Sequence, residues 1–101
     1  MQKKRCQKMD SILQTEKECY ICGTTQNLHK HHVFYGNANR NLSEKDGCVV
    51  YLCMNHHTGA AGVHGNQKIN ISLKKKMQKR WMEYYGKSKE DFIKRYGKNY
   101  L

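Results

Sequence analysis

The chain has 101 residues, 38% of them hydrophobic, and carries 19 Lys and Arg against 8 Asp and Glu, a formal net charge of +11. A chain this short forms one small domain with a thin core, for which a metal or another staple supplies stability that the core lacks. No apolar run approaches the roughly 18 residues of a membrane span, and the opening MQKKRCQKMDSIL has no apolar secretion core; the expectation is a cytoplasmic protein, not membrane-bound, whose cysteines serve a metal rather than disulfides.

Residues 1–17 read as a basic arm with Met9, Ile12 and Leu13 as its anchors. Cys19-Tyr20-Ile21-Cys22-Gly23 is a knuckle: two cysteines separated by two residues, then a glycine that lets the backbone turn back toward a metal. Residues 27–34, which hold His29, His31 and His32, read as a first strand, and residues 47–52, rich in β-branched and aromatic side chains, as a second. The Gly, Asn and Ser content of residues 35–46 predicts a loop between them.

A two-stranded hairpin is marginal in water, so something must pack against it. The spacing of Leu73, Met77, Trp81 and Tyr84 predicts a helix with those four as its core side, interleaved with Lys74, Lys75, Lys79 and Arg80 and ended by Gly86. A second short helix follows: Ser88 as N-cap, Glu90 and Asp91 in the first turn, Phe92, Ile93 and Tyr96 as the apolar side, and Gly97 as the terminator. Residues 68–101 hold 11 basic and 3 acidic side chains, a net of 11 − 3 = +8. Alone, such a run is a solvated face; beside a histidine cluster it favours nucleic acid as the partner.

Cys19-x-x-Cys22 paired with Cys53-x-x-His56 offers three thiolates and one imidazole, a ligand set for tetrahedral structural zinc. Two knuckles flanking a predicted hairpin are far more specific than one. Cys48, in the second strand, reads as a small buried hydrophobe and Cys6 as an arm residue without an evident partner, so a cysteine hydrolase has little support. His57 follows His56, and His31 and His32 are adjacent. Neighbours on a strand face opposite ways, so His31 and His32 cannot do the same job: one is free to bind a metal while the other meets a substrate.

The order C-x-x-C, H-H-V, then an apolar strand ending L-C-x-x-H-H, here Cys19, Cys22, His31-His32-Val33 and Leu52-Cys53-Met54-Asn55-His56-His57, resembles the zinc-knuckle branch of the HNH (ββα-metal, His-Me finger) endonuclease family over about residues 19–64. The basic tail is similar to that of small HNH proteins of phages and prophages, which implies a bacterial host cell. The resemblance implies an α+β fold: a zinc-stapled ββα-metal domain over residues 18–86, the basic arm before it, and a short C-terminal helix and tail over residues 87–101.

It implies roles as well. His32 matches the general base that deprotonates the attacking water, His31 the first catalytic metal ligand, and His57 the ligand at the start of the helix. His56 stands where much of the family has a fourth knuckle cysteine. His64, seven residues after His57, is a candidate third ligand for a catalytic Mg2+, Mn2+, Ni2+ or Zn2+, or a phosphate contact. His29 has no family counterpart and reads as a strand residue or phosphate contact. The family often carries an Asn that braces the loop of the general base; that position is Cys48, and Asn37 or Asn39 could substitute.

The expected activity is a metal-dependent DNA endonuclease or nickase acting on double-stranded DNA, with Arg40, Lys74, Lys75, Lys79 and Arg80 holding the phosphate backbone. Two alternatives stand beside it: a zinc-stabilised nucleic-acid-binding module without catalysis, for which Cys48 argues, and a structure-specific nuclease of phage recombination or packaging.

Overall fold

A computed structural model of the chain describes residues 11–36, 38–58 and 66–101. Cys6, Asn37, His64, the first ten residues of the expected basic arm and the glycine-containing stretch after Thr58 lie outside the described residues. The elements in chain order are β1 (Leu28–His32), α1 (Asn39–Asp46), β2 (Val49–Cys53), α2 (Met54–His57), α3 (Gln67–Tyr85) and α4 (Lys89–Tyr96). The architecture is a small α+β fold in which a two-stranded antiparallel sheet is packed by helices. No helix among the described residues is long and apolar enough to cross a membrane.

β1 and β2 pair with His31 opposite Val50 and His32 opposite Val49. β2 is covered on both sides: Val49, Val50, Leu52 and Cys53 are all buried, as its β-branched composition suits. Residues 11–18 run beside it. The Ile12 N–H donates to the Gly47 carbonyl (2.9 Å), and the Gln14 side chain accepts from the Tyr51 N–H (2.8 Å) while donating to the Glu18 carbonyl. A side-chain amide thus satisfies a backbone donor at the edge of the hairpin, where an unmet one would be costly.

Residues 35–46 are not all loop, as their composition suggested. Asn39 to Asp46 form α1, which ends on Gly47 in the left-handed region (φ 78°), its N–H returned to the Ser43 carbonyl. That conformation is cheap only for a residue without Cβ. α3 matches the expected helix but begins earlier, capped by the Asn66 side chain, which accepts from the Ile69 N–H. α4 has the expected N-cap in a reciprocal form: Ser88 Oγ accepts from the Asp91 N–H (3.1 Å) and the Asp91 carboxylate accepts from the Ser88 N–H (3.0 Å).

Leu73, Met77 and Trp81 of α3 are buried as expected, but Tyr84 is 54% exposed: its helix runs on past the edge of a core too small to cover it. On α4, Phe92 and Tyr96 are buried and Ile93 is not. Phe34, Trp81, Phe92 and Tyr96 form one aromatic cluster, with ring centroids 4.7 Å (Phe34 to Tyr96), 5.0 Å (Phe34 to Phe92) and 5.3 Å (Trp81 to Phe92) apart. α4 therefore shares the core with the hairpin, and each such buried ring contributes about 1.5–3 kcal/mol.

Asp46, in the last turn of α1, ties the helices together. Its carboxylate accepts from Trp81 Nε1 on α3 (2.9 Å), and from Arg95 Nε (2.5 Å), Arg95 Nη2 (2.7 Å) and the Tyr96 hydroxyl (2.8 Å) on α4. Its main-chain carbonyl accepts from the Tyr85 hydroxyl (2.6 Å). A buried carboxylate is tolerated when its lone pairs are filled in this way.

Candidate metal centre and histidine cleft

The first knuckle is shaped by backbone hydrogen bonds. The Cys19 N–H donates to the Thr24 carbonyl (2.7 Å), the Gly23 N–H to the Cys19 carbonyl (2.8 Å), and the Tyr20 N–H to the Tyr51 carbonyl (2.8 Å), which fastens the turn to β2. Gly23 adopts φ 80°. The second knuckle is the junction where β2 ends at Cys53 and α2 begins, which brings His56 back beside Cys53.

The ligand atoms of Cys19, Cys22, Cys53 and His56 all lie within 4.8 Å of one another. Cys22 Sγ is 3.9 Å from Cys53 Sγ, and His56 Nδ1 is 3.6 Å from Cys19 Sγ and 3.3 Å from Cys53 Sγ. Zinc–sulfur bonds of about 2.3 Å and zinc–nitrogen bonds of about 2.0–2.1 Å, at tetrahedral angles, put neighbouring ligand atoms roughly 3.4–3.8 Å apart. The cluster can hold a structural metal ion. Burial raises the Cys19 thiol, but the backbone donors of Cys22, Cys53 and Ile21 outweigh it and bring its pKa down to about 6. Thiolate is the form that binds metal.

β1 sorts the remaining histidines by face. His29 and His31, two residues apart, both meet His57 at the end of α2: ring centroids are 5.2 Å apart for His29 to His57 and 5.2 Å for His31 to His57. His29 Nδ1 and His57 Nδ1 are 3.1 Å apart, and His31 is 2% exposed. His32 turns the other way, toward α1, where its Nε2 lies 2.7 Å from Glu44 Oε1. Lys30 Nζ donates to the other oxygen of Glu44 (3.1 Å). Hydrogen bonds from His32 first, then from Lys30, hold the Glu44 carboxyl below its usual range. An ionised carboxylate only accepts, so His32 Nε2 carries the proton.

Past the end of β1 a cleft of about 520 Å³ opens, lined by Lys30, His31, His32, Tyr35, Gly36, Arg40 and His57. The loop that forms its wall is held by Ser43 of α1: the Phe34 N–H donates to Ser43 Oγ (3.2 Å), and the Ser43 hydroxyl donates to the Phe34 carbonyl (2.6 Å). Ser43 is fully buried. Asn39 donates instead to the Tyr96 carbonyl (3.0 Å). Cys48 is fully buried, and burial pushes its thiol up to about 12, so it stays protonated and unreactive.

Among the expected phosphate contacts, Arg40 is exposed at the cleft and Lys75 and Lys79 are exposed on α3. Lys74 departs from the open face drawn from the sequence. It is 9% exposed, with Nζ 4.2 Å from the Tyr35 ring centre and 5.2 Å from that of Tyr100. Arg80 is half-buried, donating from Nε to the Ile12 carbonyl (2.8 Å). Both follow from α3 lying across the aromatic residues and the N-terminal segment, which periodicity alone does not reveal.

Sequence reasoning passed over Glu44 and Ser43 because it read their segment as loop. The available signal was Gly47 directly after Lys45 and Asp46, a helix-terminating pattern. Compared with known proteins, the chain matches no family model, no curated protein and no solved structure.

Proposed function

We propose that the protein is an HNH-type, metal-dependent DNA endonuclease or nickase, with zinc on Cys19, Cys22, Cys53 and His56 as its staple. The observation that carries the reading is the one cleft that His31, His32 and His57 line together with Lys30 and Arg40. A general base, imidazole donors for a divalent ion and cations for a phosphate are the parts that phosphodiester hydrolysis needs.

The Glu44 carboxylate accepts a hydrogen bond from His32 Nε2–H, which leaves Nδ1 as the atom that takes a proton from water. Once His32 is protonated, the same carboxylate stabilises the imidazolium. Arg40, exposed at the cleft, holds the phosphate backbone by charge, and Lys75 and Lys79 extend that contact along α3. His31 and His57 fit a divalent ion by donor type, since imidazole suits borderline metals. Such an ion, when bound, neutralises charge on the phosphate and stabilises the leaving 3′ oxygen. The Ser43 hydrogen bonds to both polar groups of Phe34 brace the loop that follows His32, the part that the resemblance gives to an Asn at the position of Cys48.

The test is a screen of plasmid nicking and of DNA binding by the zinc-loaded protein with Mg2+, Mn2+, Ni2+ and Zn2+ in parallel. Cleavage with any one of them supports the reading. Binding without cleavage across the screen supports the non-catalytic nucleic-acid module instead, and preference for branched over linear DNA supports a structure-specific nuclease.

A further inference from the structure

The first knuckle and the first half of α3 border a groove of about 220 Å³ that the nuclease mechanism leaves unused. Its floor and far wall are apolar. Leu73 of α3 is a core residue, Ile69 and Tyr20 pack against the core, and Ile21, beside Tyr20 in the knuckle, is 42% exposed. The Tyr20 N–H donates to the Tyr51 carbonyl (2.8 Å), which fastens the knuckle wall to β2, so the groove is formed before anything enters it.

The near edge is cationic. Lys68, Ser72 and Lys76 follow one another at intervals of four residues, which sets them in one exposed row along α3. No acidic side chain lines the groove among the described residues, and none occurs in the sequence from Asn66 to Met82. At a rise of about 1.5 Å per residue, Lys68 and Lys76 stand about 12 Å apart along the helix.

An occupant must therefore be apolar at its centre and anionic on both sides. Cofactor-sized molecules fill pockets of about 300–1,000 Å³, more than this groove offers. A nucleobase set among Ile21, Ile69 and Leu73 would turn its polar edge to aliphatic carbon, with the Ser72 hydroxyl as its one uncharged side-chain partner apart from the Tyr20 hydroxyl, and unmade hydrogen bonds are costly. An aliphatic side chain incurs no such loss. Alternate residues of an extended peptide share a face, and four residues cover about 13 Å. We propose that the groove docks an acidic peptide segment of a partner protein, with one aliphatic side chain in the groove and carboxylates two residues to either side paired with Lys68 and Lys76. The site does not depend on the nuclease reading, since none of its residues lines the histidine cleft.

The experiment is fluorescence anisotropy of the zinc-loaded protein with a labelled peptide bearing glutamates two positions either side of a central leucine. Beside it run the same peptide with serine for that leucine, and labelled oligothymidylate as the nucleic-acid probe. The leucine peptide binds at least about tenfold more tightly than the serine peptide, as burial of one leucine predicts. Ile21→Ser weakens the leucine peptide and leaves the serine peptide unchanged. Lys68→Glu with Lys76→Glu weakens both peptides, whereas Lys45→Glu with Lys89→Glu, the same change of charge at exposed positions outside the groove, has a smaller effect. Zinc content and the melting transition show which variants are folded, and the lysine pairs decide the matter if Ile21→Ser loses its zinc. Equal affinity for the two peptides, equal effects of the two lysine pairs, or no binding of either peptide overturns the site. Oligothymidylate that displaces the leucine peptide and itself depends on Ile21 also overturns it, and assigns the groove to nucleic acid.

Discussion

Replacing Asp46 with alanine removes the acceptor on which α1, α3 and α4 converge, and the structure allows the cost to be worked. Trp81 Nε1 and the Tyr96 hydroxyl lose their carboxylate partner on side chains that are 3% and 4% exposed, where an unmet donor costs about 1–3 kcal/mol. Arg95 loses two hydrogen bonds, but its side chain is 36% exposed, so water replaces much of what it loses. Set against this, the variant no longer holds a carboxylate out of water. The net expectation is a loss of about 3 kcal/mol, a large share of the 5–15 kcal/mol typical of a domain.

Trp81 is the only tryptophan in the chain and is itself a partner of Asp46, so urea unfolding of the zinc-loaded protein followed by its fluorescence is the natural assay. Tyr96→Phe, which leaves Asp46 its other donors, should cost only about 1 kcal/mol. An Asp46→Ala variant within 0.5 kcal/mol of wild type, as surface substitutions usually are, would refute the claim that this carboxylate fastens the helices.

Removing the structural metal with a chelator, or substituting Cys53→Ser, should abolish the cooperative melting transition seen by circular dichroism, because binding energies of about 10–16 kcal/mol for structural zinc rival the whole stability of a small domain. Ser43→Ala leaves the Phe34 N–H and carbonyl without their partner; it should destabilise by about 2–4 kcal/mol in urea melts and slow nicking more than it weakens DNA binding. Alkaline stability follows from Cys48, whose thiol is raised by burial from 9.0 to about 12, and from Tyr96, also raised by burial. A group whose folded pKa is raised keeps the folded state fully stable below its unfolded value. Stability should therefore hold to about pH 9 and fall as pH rises toward 12, with a shallower fall in Cys48→Ala, measured as unfolding free energy against pH.

What could be read from the sequence was whatever depends on local spacing. The two knuckles are legible because a four-coordinate ion calls for ligands paired with two residues between them, and α3 and α4 because their caps and apolar periods are strong. α1 was not legible: Asn39 to Asp46 has one aliphatic side chain, Leu42, and no N-cap side-chain hydrogen bond, so composition pointed to a loop. Glu44, Ser43 and Asp46 all depend on that helix. Their roles are set by what α1 faces, which is tertiary information. The opposite facing of His31 and His32 follows from strand geometry alone, whereas the proximity of His29 to His57 needed the position of α2. Lys74 shows the converse limit, since a lysine in a basic run is drawn under two aromatic rings that lie far from it in the chain.

The most direct test of the account is plasmid nicking by His32→Ala beside the wild type, both zinc-loaded, with the ion that the screen identifies. The account predicts that His32→Ala keeps its zinc, its fold and its DNA binding while metal-dependent nicking is abolished. Nicking at the wild-type rate in that variant would contradict it.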